Sequence, residues 1–351
     1  MHKKLAALLL IVFMMVALAG CGGGGSNVAG GQANDSTAAQ TYNWRLPHEE
    51  VVGSCQDLYA NKFKEIVESK SEGRIIVDVY PVGQLGDSTN QVELLQMGGV
   101  EFAINNPGAT ATIIPEANVF SLHFLMPSDM AGVRKVVTEG EGIKKLNALY
   151  ESQGMYVLDW FPEGFNVWTA NKPIVTPEDM KGFKIRTMAA PVIAKSYEAY
   201  GANPVPVPYM ELYSALQLKM VDGQVNPLFA IDEMKFAEVQ KYLMLSNQDS
   251  FVGTFAANRD YWNTLPEDIQ KIVKDAVAEC NQYLFEKQQE LNEKALENIK
   301  ATTSIEVIEL TDSQRDVFRS LVEPARRTYV DMTGESGKEI MELIVADVDK
   351  L

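Results

Sequence analysis

Few side chains in this sequence have the types and spacing that catalysis or metal binding requires. Outside the N-terminal segment the chain has two histidines, His48 and His123, and each stands alone. No His and Cys cluster has metal-ligand spacing, and no nucleophile elbow, phosphate loop or dinucleotide fingerprint is present. Adjacent acids such as Glu49 and Glu50 are more typical of a protein surface than of an acid and base pair. The sequence therefore predicts no active site, no metal centre and no cofactor.

One segment, residues 201 to 227, combines features that favour a binding cleft. It reads GANPVPVPYMELYSALQ and, three residues later, VDGQVNP. The alternating prolines Pro204, Pro206 and Pro208 hold the backbone extended and remove donors from any hydrogen-bond ladder. Such a run suits a crossing between two lobes or the wall of a cleft.

These motifs resemble those of the DctP-like solute-binding proteins of tripartite ATP-independent periplasmic (TRAP) transporters. The family pattern has Gly-Ala-x-Pro-x-Pro, then Glu-Leu-Tyr-x-Ala-Leu-Gln, then Val-Asp-Gly-Gln-x-Asn-Pro, and all three stand here in that order. Residues 80 to 86, 173 to 186 and 235 to 242 match further family segments. The resemblance runs from residue 42 to about residue 300, and the combined motifs are specific.

The resemblance implies an α/β fold of periplasmic-binding-protein architecture, with two lobes, crossing strands and a long helix that spans both lobes. We expect lobe 1 to contain residues 42–163 and about 252–291. Lobe 2 would contain residues 164–251 and about 292–351. The cleft between the lobes would close over one organic acid.

The resemblance also implies which residues bind this acid. Arg186 occupies the position of the arginine that pairs with the ligand carboxylate in the family. Its guanidinium offers parallel donors that match a carboxylate, and it keeps its charge when water is removed. Asn226 and Tyr209 occupy positions that line the same cleft, where the tyrosine would pack on the ligand.

The chain departs from the family pattern at Asn166, where many members have a second arginine. A single positive anchor predicts a monocarboxylate or monosulfonate, because a second carboxylate would lack a charged partner. Trp168 is a candidate apolar wall, although a place in the core is an equal alternative. Asn106, His48 and Glu49 follow strand ends that face the cleft in the family, and they are further candidates.

Alternating strand and helix patterns would position these residues. Between residues 42 and 105 the order is β-α-β-α-β, which predicts an α/β layer with parallel strands. Strands are predicted at residues 155–161 and 166–170, and a strand containing Arg186 follows a short capped helix that starts at Thr176 and ends at Gly182. An apolar stripe without Pro or Gly predicts one helix at residues 266–301, roughly 50 Å long, which could run along both lobes.

The first 20 residues have the features of a signal peptide. Lys3 and Lys4 precede an apolar run that is too short for a membrane span. Small residues then precede Cys21, as in a bacterial lipobox, and we expect this cysteine to carry lipid. The Gly-rich residues 21–41 would form a flexible tether with a reach of about 25 Å. The alternative is an ordinary secretory signal followed by an accidental cysteine.

Charge and cysteine content limit the partners. The formal net charge is −16, and it becomes −18 once Lys3 and Lys4 leave with the signal peptide. This argues against nucleic acid and against an electrostatic membrane surface site, but a local positive pocket can still hold an anion. For Cys55 and Cys280, far apart in sequence, two buried thiols are favoured over a disulfide.

These features predict a protein held by lipid at the periplasmic or extracytoplasmic face of a membrane. It would capture a small organic anion for the membrane permease subunits of a TRAP transporter and would not be an enzyme. One alternative is a receptor subunit for another transporter or a sensor. Another is a secreted α/β enzyme acting on an organic acid, with Glu49 as the titratable group beside Arg186.

Overall fold

The structure, a computed structural model, describes residues Gln40–Leu351. The predicted signal peptide, Cys21 and nearly all of the predicted tether lie outside the described residues. Within the described range, no helix is both long enough and apolar enough to cross a membrane.

Ten strands lie in this range: β1 (Tyr42–Pro47), β2 (Ile75–Tyr80), β3 (Phe102–Asn105), β4 (Met155–Ala170), β5 (Lys184–Thr187), β6 (Asn203–Pro206), β7 (Gly223–Pro227), β8 (Tyr242–Leu245), β9 (Ser250–Asn258) and β10 (Glu306–Glu309). The α-helices are α1 (Cys55–Lys70), α2 (Ser88–Gln96), α3 (Pro107–Thr110), α4 (Met130–Glu139), α5 (Glu141–Ser152), α6 (Pro177–Met180), α7 (Pro191–Ala199), α8 (Leu212–Gln217), α9 (Leu228–Glu233), α10 (Arg259–Thr264), α11 (Glu267–Thr302), α12 (Asp312–Arg319) and α13 (Glu323–Val348). Short 3₁₀ helices lie at Pro115–Ser121, Tyr209–Glu211 and Phe236–Val239.

The first sheet is built from β3, β9 and the first part of β4, and the two-stranded ladder of β1 and β2 is joined to it by one bridge. β1 and β2 pair in parallel, as the β-α-β pattern predicts, and a parallel bridge joins His48 to Ile104 at the end of β3. β9 then pairs antiparallel with both β3 and β4. The combined layer is therefore mixed, because β9 returns from the second half of the chain to complete it.

The second sheet contains the remaining strands. The last part of β4 lies between β7 and β8 and runs antiparallel to both. β10 pairs in parallel with β8, and β5 pairs in parallel with β6 and β7. The carboxyl ends of parallel strands lie on one side of such a sheet, where loops form binding crevices.

Strand β4 crosses from one sheet to the other. The predicted strands at residues 155–161 and 166–170 are parts of this single strand, and the intervening residues are also extended. Its pairing with β9 shifts register between Pro162 and Gly164, and Gly164 has a φ of +143°. Pro and Gly normally end a strand pattern, but here they form a bulge that bends a continuous strand.

The long helix predicted at residues 266–301 is confirmed as α11. Its buried side chains Ile269, Val273 and Leu284 pack with the core around β1 and α1. Near its end, Ile299 packs with a different core that includes Leu243 of β8. The helix thus contacts the cores beneath both sheets.

The C-terminal helix α13 packs more broadly than the predicted lobe boundaries suggest. Tyr329, Ile340 and Ile344 are buried with Val133 and Leu146 of the region predicted as lobe 1. The same helix also packs against α7, in the region predicted as lobe 2. The α/β architecture with a crossing strand and a long helix is confirmed, whereas the lobe boundaries stay a prediction.

Candidate ligand-binding site

A cavity of about 60 Å³ lies where the two sheets meet. Its lining residues are Glu49, Glu50, Ser88, Arg186, Met188, Tyr209, Asn226, Pro227, Ala230 and Phe251. The two glutamates follow β1, whereas Arg186 and Asn226 lie in β5 and β7. The first sheet therefore contributes carboxylates, and the second contributes a guanidinium and an amide.

Arg186 is the central feature of the cavity. Its side chain is buried, and its Nε donates to the backbone oxygen of Val207 at 2.9 Å. Within residues 40–351 its terminal nitrogens have no hydrogen-bond partner, and no carboxylate lies within ion-pair distance. Burial lowers its pKa to about 10, so the guanidinium stays charged at neutral pH. A buried cation without a counter-ion is costly, and an anionic ligand would satisfy it.

Asn226 and Tyr209 lie beside Arg186 and are held by their surroundings. The Nδ2 of Asn226 donates to Oε1 of Gln224, whose own Nε2 donates to Oγ1 of Thr169 at 3.1 Å. The ring of Tyr209 stands edge-on to Phe236, with 6.0 Å between centroids. A fixed amide and a fixed aromatic ring can orient a ligand with little loss of side-chain entropy on binding.

Glu49 and Glu50 give the opposite side of the cavity a negative character. Oε1 of Glu49 accepts from the backbone N–H of Asn106 at 2.7 Å. Burial, and to a lesser degree the charge of Glu50, raises the pKa of Glu49 to about 7. Oε2 of Glu50 accepts from the backbone N–H of Gln56 at 3.1 Å. These carboxylates could pair with a positive group on the ligand.

Two of the predicted site residues support the cavity without lining it. The side chain of Asn106 caps α3 by accepting from Gly108 at 2.8 Å and donates to Val252 at 3.0 Å. Its backbone N–H is what holds Glu49. His48 is fully buried, and its Nε2 lies 3.3 Å from Oδ1 of Asp57.

Asn166 and Trp168 also lie outside the cavity lining. The Nδ2 of Asn166 donates to Oδ2 of Asp249 at 3.2 Å. Trp168 is buried in the core beneath the second sheet, where its Nε1 donates to the hydroxyl of Tyr197 at 3.0 Å. Of the eight predicted ligand-binding residues, the structure brings together Arg186, Asn226, Tyr209 and Glu49 at the cavity.

Sequence reasoning missed several lining residues. Glu50 belongs to the adjacent acid pair whose sequence pattern is typical of a surface, whereas the structure buries its side chain at the cavity. Ser88, Met188 and Phe251 have no distinguishing sequence signal, because only the folded chain brings them to the cavity.

The described residues contain no group of three or more His, Cys, Asp or Glu side chains that could hold a metal ion. Cys55 and Cys280 are buried free thiols. Burial raises the pKa of both thiols, so neither is activated as a nucleophile.

Comparison with known proteins gives a consistent set of relatives. The family model described as bacterial extracellular solute-binding protein, family 7, matches residues 47–331. The ectoine-binding periplasmic protein TeaA of Halomonas elongata is 38% identical over 315 residues, covering 89% of this chain and 92% of TeaA. The C4-dicarboxylate-binding periplasmic protein DctP of Rhodobacter capsulatus is 31% identical over 276 residues, covering 78% of this chain and 82% of that relative.

Two solved structures of TRAP solute-binding proteins superpose well on this chain. The periplasmic ectoine-binding protein of the TeaABC TRAP transporter of Halomonas elongata superposes with a TM-score of 0.85 at 37% identity, covering 88% of this chain and 100% of that one. A TRAP periplasmic solute-binding protein from Desulfovibrio salexigens with bound orotic acid gives a TM-score of 0.84 at 30% identity, covering 88% of this chain and 99% of that one. These neighbours have the same two-lobed architecture.

Proposed function

Because this chain belongs to the bacterial extracellular solute-binding protein family 7, we propose that it captures a small organic acid outside the cytoplasm and delivers it to TRAP membrane permease subunits. The observation that carries this proposal is Arg186, a buried guanidinium that lines a cavity and has no anionic partner in the described chain. A ligand carboxylate would supply that partner. In this role the protein binds and releases its ligand and performs no chemistry on it.

The ligand we propose is a monocarboxylate that also carries a positive group. Its carboxylate would lie against Arg186, and its positive group would face Glu49 and Glu50 on the other side of the cavity. Tyr209 and Phe251 would cover the body of the ligand. The names of two relatives, TeaA and the ectoine/5-hydroxyectoine-binding protein UehA of Ruegeria pomeroyi, which is 34% identical over 314 residues, identify zwitterionic ligands of this kind.

A dicarboxylate fits this distribution of charge less well. Its second carboxylate would face two glutamates, and like charges in a desolvated site repel strongly. From the sequence, Asn166 in place of a second arginine also favours a monocarboxylate over a dicarboxylate. In the structure, however, Asn166 donates to Asp249 and does not line the cavity. The charge argument therefore rests on the two glutamates.

Ligand binding would favour closure of the two lobes. β4 crosses between the sheets at its bulge, and α11 contacts both cores. These elements can bend while each sheet stays intact, as in hinge closure. A ligand that touches Arg186 on one side and the glutamates on the other binds the closed form better, which shifts the population toward it.

A thermal-shift screen tests the ligand class. We expect ectoine to stabilise the purified protein by about 2.7 kcal/mol at a concentration 100-fold above its dissociation constant, which corresponds to a shift of several degrees. Succinate, with two negative charges, and lactate, with no positive charge, serve as matched comparisons and should shift the melting temperature far less. Stabilisation mainly by succinate would overturn the proposed charge pattern.

We also propose that Cys21 carries the lipid anchor, on the basis of the lipobox. Cys21→Ser should move the protein from the membrane fraction to the soluble exported fraction, because the acyl chains supply the membrane affinity. Fractionation with metabolic fatty-acid labelling would measure both changes. A mutant that stays on the membrane without label would contradict the anchor assignment.

A further inference from the structure

A further buried carboxylate, Glu163, lies close to the ligand cavity without lining it. Glu163 is fully buried in β4, at the register shift where this strand crosses between the sheets. Its Oε1 lies over Gly253 of β9, where an added Cβ would approach it to 2.6 Å. Glu163 is therefore enclosed against β9, at the bulge of β4 that would bend when the lobes move.

Glu163 and the cavity residue Glu50 are both buried, and both are bonded to the same residue, Gln56. Gln56 contacts both: its backbone N–H donates to Oε2 of Glu50, and its Nε2 donates to Oε1 of Glu163, each at 3.1 Å. Oε2 of Glu163 is buried and receives no amide, hydroxyl or cationic donor within the described chain. A proton held between the two carboxyl groups would provide the missing donor.

Two adjacent carboxylates in a dry site cannot both be ionised at low cost. Burial raises the pKa of both groups, and the neighbouring Glu50 raises that of Glu163 further. Neither carboxylate has a Lys or Arg partner in the described residues, and Nε2 of His48 lies 3.3 Å from Oδ1 of Asp57, not at either glutamate. The surrounding titratable and charged groups are Glu49, His48, Cys55, Asp57, Arg186, Tyr209 and Glu233.

We propose that Glu50 and Glu163 share one proton while the cavity is empty, and that a ligand with a positive group against Glu50 releases this proton to solvent. The released state has two carboxylates, with the ligand cation replacing the proton as their counter-charge. Capture of the ligand is then coupled to pH, and affinity rises with pH until the empty protein no longer holds the proton. This coupling rests on the proposed function, whereas the shared proton does not.

Infrared spectroscopy of the ligand-free protein tests the shared proton. Near neutral pH the wild-type protein should show the carbonyl absorption of a protonated carboxyl group from this pair. Both Glu163→Gln and Glu50→Gln should lose that absorption, because the remaining carboxylate no longer has to keep a proton. If Glu50→Gln retains it, the proton belongs to Glu163 alone and sharing is ruled out. If neither variant changes the spectrum, both groups are ionised and the proposal fails.

Calorimetry tests whether ligand binding releases a proton. Titrating ectoine into the full-length protein in buffers of different ionisation enthalpy should reveal release of about one proton per ligand. Glu163→Gln should remove most of this release and weaken the dependence of affinity on pH, and any remaining release belongs to Glu49, which faces the same ligand group and also has a raised pKa. Asp249→Asn is the matched control, because Asp249 is a half-buried carboxylate that does not line the cavity and is bonded to Asn166 and Gln248; it should leave proton release unchanged.

A negative result in the calorimetry does not decide the outcome of the infrared comparison. If ectoine does not bind, the ligand assignment and its coupling are overturned, and the infrared comparison still decides whether the proton is shared. If ectoine binds to the wild-type protein without proton release, the coupling is overturned while the proposed function stands. Circular dichroism of both glutamine variants, which preserve side-chain shape, verifies that each is folded.

Discussion

Arg186→Ala is expected to lower affinity for the captured carboxylate by about 2–5 kcal/mol, or roughly 30- to 4,000-fold. The guanidinium is buried and has no anionic partner in the described protein, so its loss leaves the ligand charge desolvated and unpaired. Arg186→Lys should recover only part of the affinity, because the ammonium group lacks the planar pair of donors. Isothermal titration with the ligand identified by thermal shift would measure both variants.

Lys184 offers a matched control on the same strand. It carries the same charge two residues away, but its side chain is exposed and does not line the cavity. Lys184→Ala should therefore leave affinity nearly unchanged. Near-normal affinity in both Arg186 variants would remove this arginine from the binding site.

Trp168→Ala is expected to lower the free energy of unfolding by about 3–5 kcal/mol. The indole is buried in the core beneath the second sheet, packs edge-on against Phe318 and donates to Tyr197. Its removal would leave a cavity and an unpaired hydroxyl group. Urea denaturation would measure the loss, and ligand affinity at low temperature should stay close to that of the wild-type protein.

Trp168→Phe separates packing from hydrogen bonding. It keeps most of the aromatic contact and loses the Nε1 donor, so its cost should be smaller than that of the alanine variant. The opposite result, normal stability with strongly reduced affinity in Trp168→Ala, would place Trp168 at the ligand.

Elements with a strong local signal were predictable. The apolar stripe of α11 continues without Pro or Gly, and the structure has one helix at almost the predicted residues. The parallel pairing of β1 with β2 also follows from the β-α-β order. In both cases the pattern lies within one segment, so few long-range contacts are needed to decide the outcome.

Elements that depend on distant partners were not predictable in the same way. Pro162 and Gly164 divide the pattern of β4 into two apparent strands, but pairing with β9 keeps the chain extended through them. Similarly, the segment after the proline run forms the 3₁₀ helix Tyr209–Glu211 and the short helix α8, which ends two residues before Lys219, where φ is +57°.

The sequence by itself determined the α/β class, the long helix, the family and the candidacy of Arg186, Asn226, Tyr209 and Glu49. The α/β class and the long helix follow from periodicity, whereas the family and the candidate residues follow from the resemblance of motifs that are contiguous in the chain. Only the tertiary structure decided that Trp168 packs in a core, that Asn166 meets Asp249, and that Glu50 and Glu163 are both bonded to Gln56. The physical reason is that a side chain's solvation and charge partners come from segments remote in sequence, and these determine whether it packs, binds a ligand or holds a proton.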